Sequence, residues 1–137
     1  MTQLYDTLQI SSAGMRVQST RVRVISENIA NAGTLPTSPD QTPYQKQFVR
    51  FKNEFDREMG HSVVKVDKVT TPREEEFELK FMPNHPAANA DGYVKAPKID
   101  TLVEMMDIRE AQRSYEANLG VFDQSRSMMM RTIDLLR

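Results

Sequence analysis

The sequence predicts a mainly α-helical protein with a small β part, built from long N- and C-terminal helices with an irregular loop and a β hairpin between them. Two observations carry this prediction. Residues 1–32 and 100–137 contain no proline and place apolar residues at a spacing of seven, which is typical of helices that pair. All seven prolines lie between Pro36 and Pro97, so residues 33–99 are predicted to be rich in loops.

Residues 1–32 predict the first helix. One apolar row repeats every seven residues and has two supporting residues: Leu8, Met15, Val22 and Ile29, with Leu4 and Ile25. A second row, formed by Ile10, Val17 and Val24, lies about 200° around the helix, so one partner helix can cover only one of the two rows. Gly33 is expected to end the helix in the left-handed conformation that glycine adopts easily.

In the middle segment, the clearest strand pattern is the alternation of polar and apolar residues at 76–81. Residues 64–67 alternate in the same way, and residues 70–75 can form the turn that joins these two stretches into a hairpin. Residues 83–97 are predicted to be irregular, with a tight turn at Asp91-Gly92.

Residues 100–137 predict the second and longer helix, roughly 55 Å long at ~1.5 Å per residue. Its main apolar row repeats every seven residues, and other apolar residues lie beside it: Ile108, Tyr115, Phe122, Met129 and Leu136, with Met105, Leu119 and Ile133, and then Val121, Met128 and Leu135. Thr101 and Glu104 have the spacing of a capping box that starts the helix. A helix with apolar residues on two sides needs partners.

Two compositional biases mark the terminal helices. Every basic residue in them is an arginine, and arginine is favoured at protein interfaces. Five of the nine methionines lie in the second helix: Met105, Met106, Met128, Met129 and Met130. Methionine suits a surface that packs in more than one environment, although ordinary filling of the core explains these residues equally well.

Charge and cysteine content exclude several classes of function. With 18 basic and 19 acidic residues the net charge is −1, so we expect no nucleic-acid partner. The absence of cysteine excludes disulfides and thiol chemistry. No apolar run approaches the ~20 residues that span a bilayer. The N-terminus lacks the basic and apolar regions of a cleaved signal, so we expect a cytoplasmic protein or one exported by another route.

The chain offers little that could support catalysis. His61 and His85 lie in loop-like sequence without the spacing of a metal site. Residues 87–92 overlap half of a calcium-binding loop, but Ala87 and Lys98 occupy positions that require oxygen ligands. We therefore expect no enzymatic activity, no cofactor, no bound metal and no small-molecule substrate.

Three groups of motifs together resemble a known family. Ser11-Ser-Ala-Gly-Met15, Ile25-Ser-Glu-Asn-Ile-Ala-Asn31 and Pro43-Tyr44 are similar to the N-terminal signature of bacterial flagellar rod and hook proteins. Pro83-Asn-His-Pro86, Asp91-Gly-Tyr-Val94, Pro97 and Glu104-Met105 resemble the proximal-rod members. Ala111-Gln-Arg-Ser-Tyr115-Glu-Ala-Asn118 matches the C-terminal helix motif. The chain departs from the family at Ala87 and Asn89, where His-Pro-Asp-Ala-Asp is usual.

The resemblance implies a fold and a function. The terminal helices, residues 1–32 and 100–137, are expected to pair as an antiparallel coiled coil that packs around a tube, with residues 33–99 outside it or between subunits. The protein is then a structural subunit of the proximal rod of the flagellar basal body, which connects the membrane ring to the distal rod and transmits torque. Expected partners are other rod proteins, the membrane (MS) ring protein, copies of the chain and the flagellar type III export apparatus. The expected location is the periplasmic rod, reached without a cleaved signal peptide.

Assembly is expected to depend on apolar and amide side chains of both helices: Leu8, Met15, Val22, Ile25, Asn28, Ile29, Asn31, Ile108, Tyr115, Asn118, Leu119, Phe122 and Met129. The alternative is a soluble helical adaptor or export chaperone that binds one partner helix. Exposed apolar rows fit either function, but only a rod subunit becomes part of the basal body.

Overall fold

The computed structural model describes residues 2–57, 60–73 and 76–136. Its elements in chain order are α1 (Thr2–Asn31), β1 (Phe48–Asp56), β2 (His61–Thr70), β3 (Phe77–Phe81), β4 (Tyr93–Pro97) and α2 (Thr101–Leu135). The predicted fold class, mainly α with a small β part between two long terminal helices, is confirmed. Neither helix has a stretch long and apolar enough to cross a membrane, as far as the described residues show.

The strands form two separate two-stranded sheets, β1 with β2 and β3 with β4. The predicted hairpin between residues 64–67 and 76–81 is therefore wrong. β3, which lies in the strand predicted at 76–81, pairs antiparallel with β4, from Phe77 opposite Pro97 to Phe81 opposite Tyr93. β4 lies in residues 83–97, which the sequence predicts to be irregular. The Phe81 and Tyr93 rings meet edge to face with their centroids 5.4 Å apart.

A polar turn brings β4 back against β3. The side-chain oxygen of Asn89 accepts hydrogen bonds from the backbone N–H groups of Asp91 and Tyr93, at 3.0 and 2.9 Å. Gly92 follows with a φ of 84°, and a Cβ at this position would lie 3.0 Å from the Phe81 ring. Glycine is required here by both backbone and space, and the predicted Asp91-Gly92 turn is confirmed.

Both helix ends differ in detail from the prediction. Asp100, and not Thr101, caps α2, because its Oδ1 accepts from the N–H groups of Leu102 and Val103 at 2.9 and 3.4 Å. The predicted capping box is wrong, since Glu104 turns inward and is buried. Gly33 has no positive φ; instead Asn31 donates from its amide to the Glu27 carbonyl at 2.8 Å as α1 ends.

The chain divides into two compact units. The first comprises residues 1–22, 49–68 and 109–137, and its buried residues come from α1, β2 and α2: Ser11, Val17, Val63, Ala111 and Ser125. The second comprises residues 23–48 and 69–108, and its largest fully buried side chains are Val24, Asn28, Val94, Pro97 and Glu104. The division of function between the helices and residues 33–99 remains a prediction.

Candidate functional site

Within the first unit, α1 and α2 pack antiparallel at close range. A Cβ placed on Gly14 would lie 2.9 Å from the side-chain nitrogen of Asn118, so the two helices meet at this glycine. Further along α1, Arg21 Nη2 lies 3.5 Å from Glu110 Oε2. Residue numbers rise along α1 while those of their partners fall along α2, which is the antiparallel pairing that the family resemblance implies.

The most buried row of α2 in this unit consists of small and polar residues. Ala111 and Ser125 are buried. Asn118 lies between them and Thr132 lies beyond Ser125, at the same spacing of seven residues, and both are half-buried. Small side chains let two helix backbones approach closely. Hydrophobicity alone does not reveal this row, although the repeat Ala-Asn-Ser-Thr at every seventh position is visible in the sequence.

The predicted large apolar residues of α2 lie beside this row or away from it. Ile108, Phe122 and Met129 are half-buried. Tyr115 and Leu119 keep 38% and 40% of their surface exposed. Packing inside one chain therefore covers only part of the predicted row.

On α1, burial does not follow either predicted apolar row as a whole, since Ile10 of the second row is 45% exposed. Val17 and Val24 are buried, whereas the first row is half-buried: Leu8, Met15, Val22 and Ile29. Ile25 is buried as well, and Asn31 is half-buried. Packing within the chain therefore covers a face of α1 that is wider than a single apolar row.

The second unit holds a buried polar cluster around Asn28. The amide nitrogen of Asn28 donates to Glu104 Oε2 at 3.0 Å and to the Gln47 carbonyl at 2.9 Å. Its oxygen accepts from the Tyr44 hydroxyl and from the Gln47 N–H, both at 2.9 Å. Both donors and both lone pairs of the amide are used, and exchanging its nitrogen and oxygen would break all four hydrogen bonds.

Charge in this cluster is compensated by Lys46, whose ammonium contacts Glu104 Oε1. Asn28 and Glu104 are each only 1% exposed, so the carboxylate would be costly without the lysine and the amide. Burial, with the nearby carboxylates of Glu27 and Glu104 adding to it, raises the pKa of Tyr44 above its ordinary value. The phenol therefore remains protonated and donates to Asn28. The cluster joins both helices to residues 44–47.

The remaining amides and histidines have local roles. Asn118 donates to the Ser114 carbonyl one turn earlier, at 3.0 Å. His85 accepts at Nδ1 from the N–H of Ala87, at 3.1 Å. His61 Nδ1 lies 3.9 Å from a carboxylate oxygen of Asp6. Among the residues that the structure describes, no group of His, Asp and Glu side chains is placed to hold a metal ion.

Relatives of known name cover nearly the whole chain. Residues 90–135 match the family described as the flagellar basal body rod FlgEFG protein C-terminal. The flagellar basal-body rod protein FlgC of Agrobacterium fabrum is 45% identical over 129 residues, 94% of this chain and 92% of that protein. The Salmonella typhimurium protein of the same name is 36% identical over 132 residues, and the Bacillus subtilis one 31% over 146 aligned positions; each alignment covers 96% of this chain and 97% of the relative. The similarity therefore extends over both helices and the segment between them.

Proposed function

Because the chain belongs to the family of flagellar basal-body rod proteins named FlgC, we propose that it is a subunit of the proximal rod and polymerises there through its terminal helices. It is a structural protein of the bacterial flagellum. Its role is to link the membrane ring to the distal rod and to transmit torque, and it carries out no catalysis.

The observation that supports polymerisation is the apolar surface of α2. Large apolar side chains remain exposed along the helix: Leu102, Val103, Met105, Met106, Tyr115, Leu119, Val121, Met128, Met130, Ile133 and Leu135. A soluble monomer seldom leaves so many large apolar side chains of one helix in solvent, and exposed apolar surface of this extent indicates an interface. Methionine is frequent in it, which suits contacts with neighbours that differ from one level of a rod to the next.

The partners follow from the same assignment. The subunit contacts other rod proteins, the membrane (MS) ring protein and copies of itself, in the periplasmic part of the basal body. It reaches that place through the flagellar type III export apparatus without a cleaved signal peptide. The predicted assembly residues, among them Asn28, Tyr115, Asn118 and Phe122, act there through packing of both helices.

To test this proposal, a strain that lacks the gene is complemented with an epitope-tagged form of the chain. We expect swimming on soft agar to depend on the tagged protein, and the tag to be found in purified basal bodies after the filament and hook are removed. The adaptor alternative, which no observation favours, predicts the tag in the cytoplasm and its absence from the basal bodies. That result would refute the rod assignment.

A further inference from the structure

The first unit contains a cleft of about 440 Å³. Apolar side chains from α1, β2 and α2 line it, namely Leu8, Ala13, Val63 and Phe122. Val63 is buried and the other three are half-buried, so together they form an apolar floor that solvent still reaches. The volume greatly exceeds the ~10–15 Å³ that a single water molecule needs, so side chains of a partner can enter.

An arginine stands at the exposed side of this cleft. Arg16 lines it, is exposed, and has no ion-pair partner among the residues that the structure describes. The other cation of the lining, Lys65, is held by Glu54 with 2.7 Å between the charged atoms. Asp56, the acidic residue of the lining, has a partner of its own. Within the part of the chain that the structure describes, the cleft therefore combines an apolar floor with one cation, Arg16, that can pair with an anion from outside.

The end of α2 has the complementary chemistry. Leu135 and Leu136 are the most exposed large apolar residues described, at 87% and 78%. Asp134 beside them is exposed and has no ion-pair partner within the described part of the chain. The last turn of α2 contains no basic residue, although the C-terminal end of a helix carries partial negative charge that a cation stabilises.

A chain cannot bring its own α2 end into its own cleft. Phe122, which lines the cleft, and Leu135 lie on the same continuous helix. They are thirteen residues apart, or roughly 20 Å at ~1.5 Å per residue. The segment that fits must come from another molecule.

We propose that residues 134–136 of one copy dock into the cleft of a second copy, with the two leucines on the apolar floor and Asp134 facing Arg16. This docking rests on the proposed function, because it specifies how copies of the chain contact each other in the rod. The contact is heterologous, joining two different surfaces, so it adds copies one after another instead of closing a dimer.

Engineered cysteines test this contact directly, since the chain has no cysteine of its own. Two differently tagged variants, Ser12→Cys at the cleft and Leu136→Cys, are expressed together in the strain that lacks the gene. After mild oxidation of purified basal bodies we expect a disulfide-linked dimer that carries both tags, because bonding requires Cα atoms within about 7 Å. Pairing Ser12→Cys with Ser127→Cys, an exposed position elsewhere on α2, should give no dimer.

A charge exchange provides a second measurement. Arg16→Asp and Asp134→Arg should each lower the amount of chain recovered in basal bodies about tenfold, because each change removes one ion pair and weakens the packing around it. The double variant should recover most of the loss. Arg113→Asp, on an exposed arginine of α2 outside the cleft, serves as the control for a change of net charge.

Failure of the docking and failure of the rod assignment give different results. Basal bodies that contain both cysteine variants but no mixed dimer, or a photo-crosslinker at position 12 that captures only a different rod protein, would overturn the docking and leave the rod function intact. Absence of the unaltered tagged chain from basal bodies would instead refute the rod function.

Discussion

At the scale of single residues, Asn28 depends on every polar atom of its side chain. Its amide nitrogen donates hydrogen bonds to Glu104 of α2 and to the Gln47 carbonyl, and its amide oxygen accepts one from the Tyr44 hydroxyl. Only a carboxamide supplies two donors and two lone pairs in this planar arrangement, and that of glutamine is one methylene further from the backbone. A carboxylate of the same shape would face Glu104 with a second negative charge.

Asn28→Asp is therefore expected to destabilise the protein by about 3 kcal/mol or more, since it removes two donors and places like charges together in a buried site. Asn53→Asp makes the same chemical change at an exposed position of β1 and should stay within about 0.5 kcal/mol of the parent. Chemical denaturation followed by circular dichroism measures both. Equal stability of the two variants would contradict the burial of this amide.

Gly14 is the residue on which close approach of the helices depends. In Gly14→Ala the new methyl group would meet the Asn118 amide at 2.9–3.0 Å, and the expected cost is about 1–3 kcal/mol. Gly14→Ala combined with Asn118→Ala should recover part of this loss, because the smaller side chain makes room. Gly120→Ala, where nothing lies within 4 Å, should raise the unfolding temperature through its gain of up to about 1 kcal/mol in helix propensity. Thermal unfolding of the four proteins checks the set.

Through Tyr44, the contribution of the buried cluster to folding stability depends on pH in the alkaline range. Its pKa is raised by burial first and then by Glu27 and Glu104, relative to the ordinary value of 10.0 that the unfolded chain has. A raised pKa means that the fold favours the neutral phenol, so this contribution is complete below pH 10.0 and decreases as pH rises from there through the folded pKa. We expect stability to decline at alkaline pH less steeply in Tyr44→Phe than in the parent. If the phenol is not coupled to folding, the denaturation midpoints of Tyr44→Phe and the parent would change with pH in parallel across that range.

At the scale of elements, the sequence was informative wherever periodicity was strong. Both helices were predictable because apolar residues recur every seven positions over more than four turns. β4 was missed because it has only five residues, ends in a proline and depends on a turn made by the Asn89 side chain. The buried row with Ala111 and Ser125 was missed because small or polar residues have no strong hydropathic signature, and their burial is decided by the neighbouring helix.

The start of α2 gives an element-scale prediction. Asp100→Ala removes the acceptor for the N–H groups of Leu102 and Val103 and should cost about 1 kcal/mol. Thr101→Ala should be nearly neutral, although the sequence alone points to Thr101 as the cap. Comparison of the two variants by thermal unfolding separates the assignments, and a larger loss for Thr101→Ala would restore the predicted capping box.

At the scale of the whole molecule, internal packing leaves much of α2 uncovered, which is consistent with a subunit that is completed by its neighbours. A charge placed on this apolar surface should leave the isolated chain folded, because the site is already exposed there. In the assembly the same charge would be buried, and the same loss would recur in every copy.

Met128→Asp, at a residue 40% exposed, is accordingly expected to abolish incorporation into basal bodies and swimming, with secretion and the helical content of the purified protein close to the parent. The matched change Ser127→Asp, one position along on the exposed side of α2, should be mild. Immunoblots of secreted and basal-body fractions, alongside soft-agar swimming, distinguish the two. A motile Met128→Asp strain would mean that this face remains in solvent in the rod.

The polar cluster of the second unit also bears on how the helices find their alignment. Rows that repeat every seven residues are degenerate: if one helix slides by a heptad, apolar side chains again meet apolar side chains. Such a slip would place Ala111 instead of Glu104 opposite Asn28. It would also separate the Glu104 carboxylate from the Lys46 ammonium that compensates its charge. A single buried polar contact can select one register among equivalent apolar ones. Asn28 and Glu104 thus select the register in which the two helices of a chain pair.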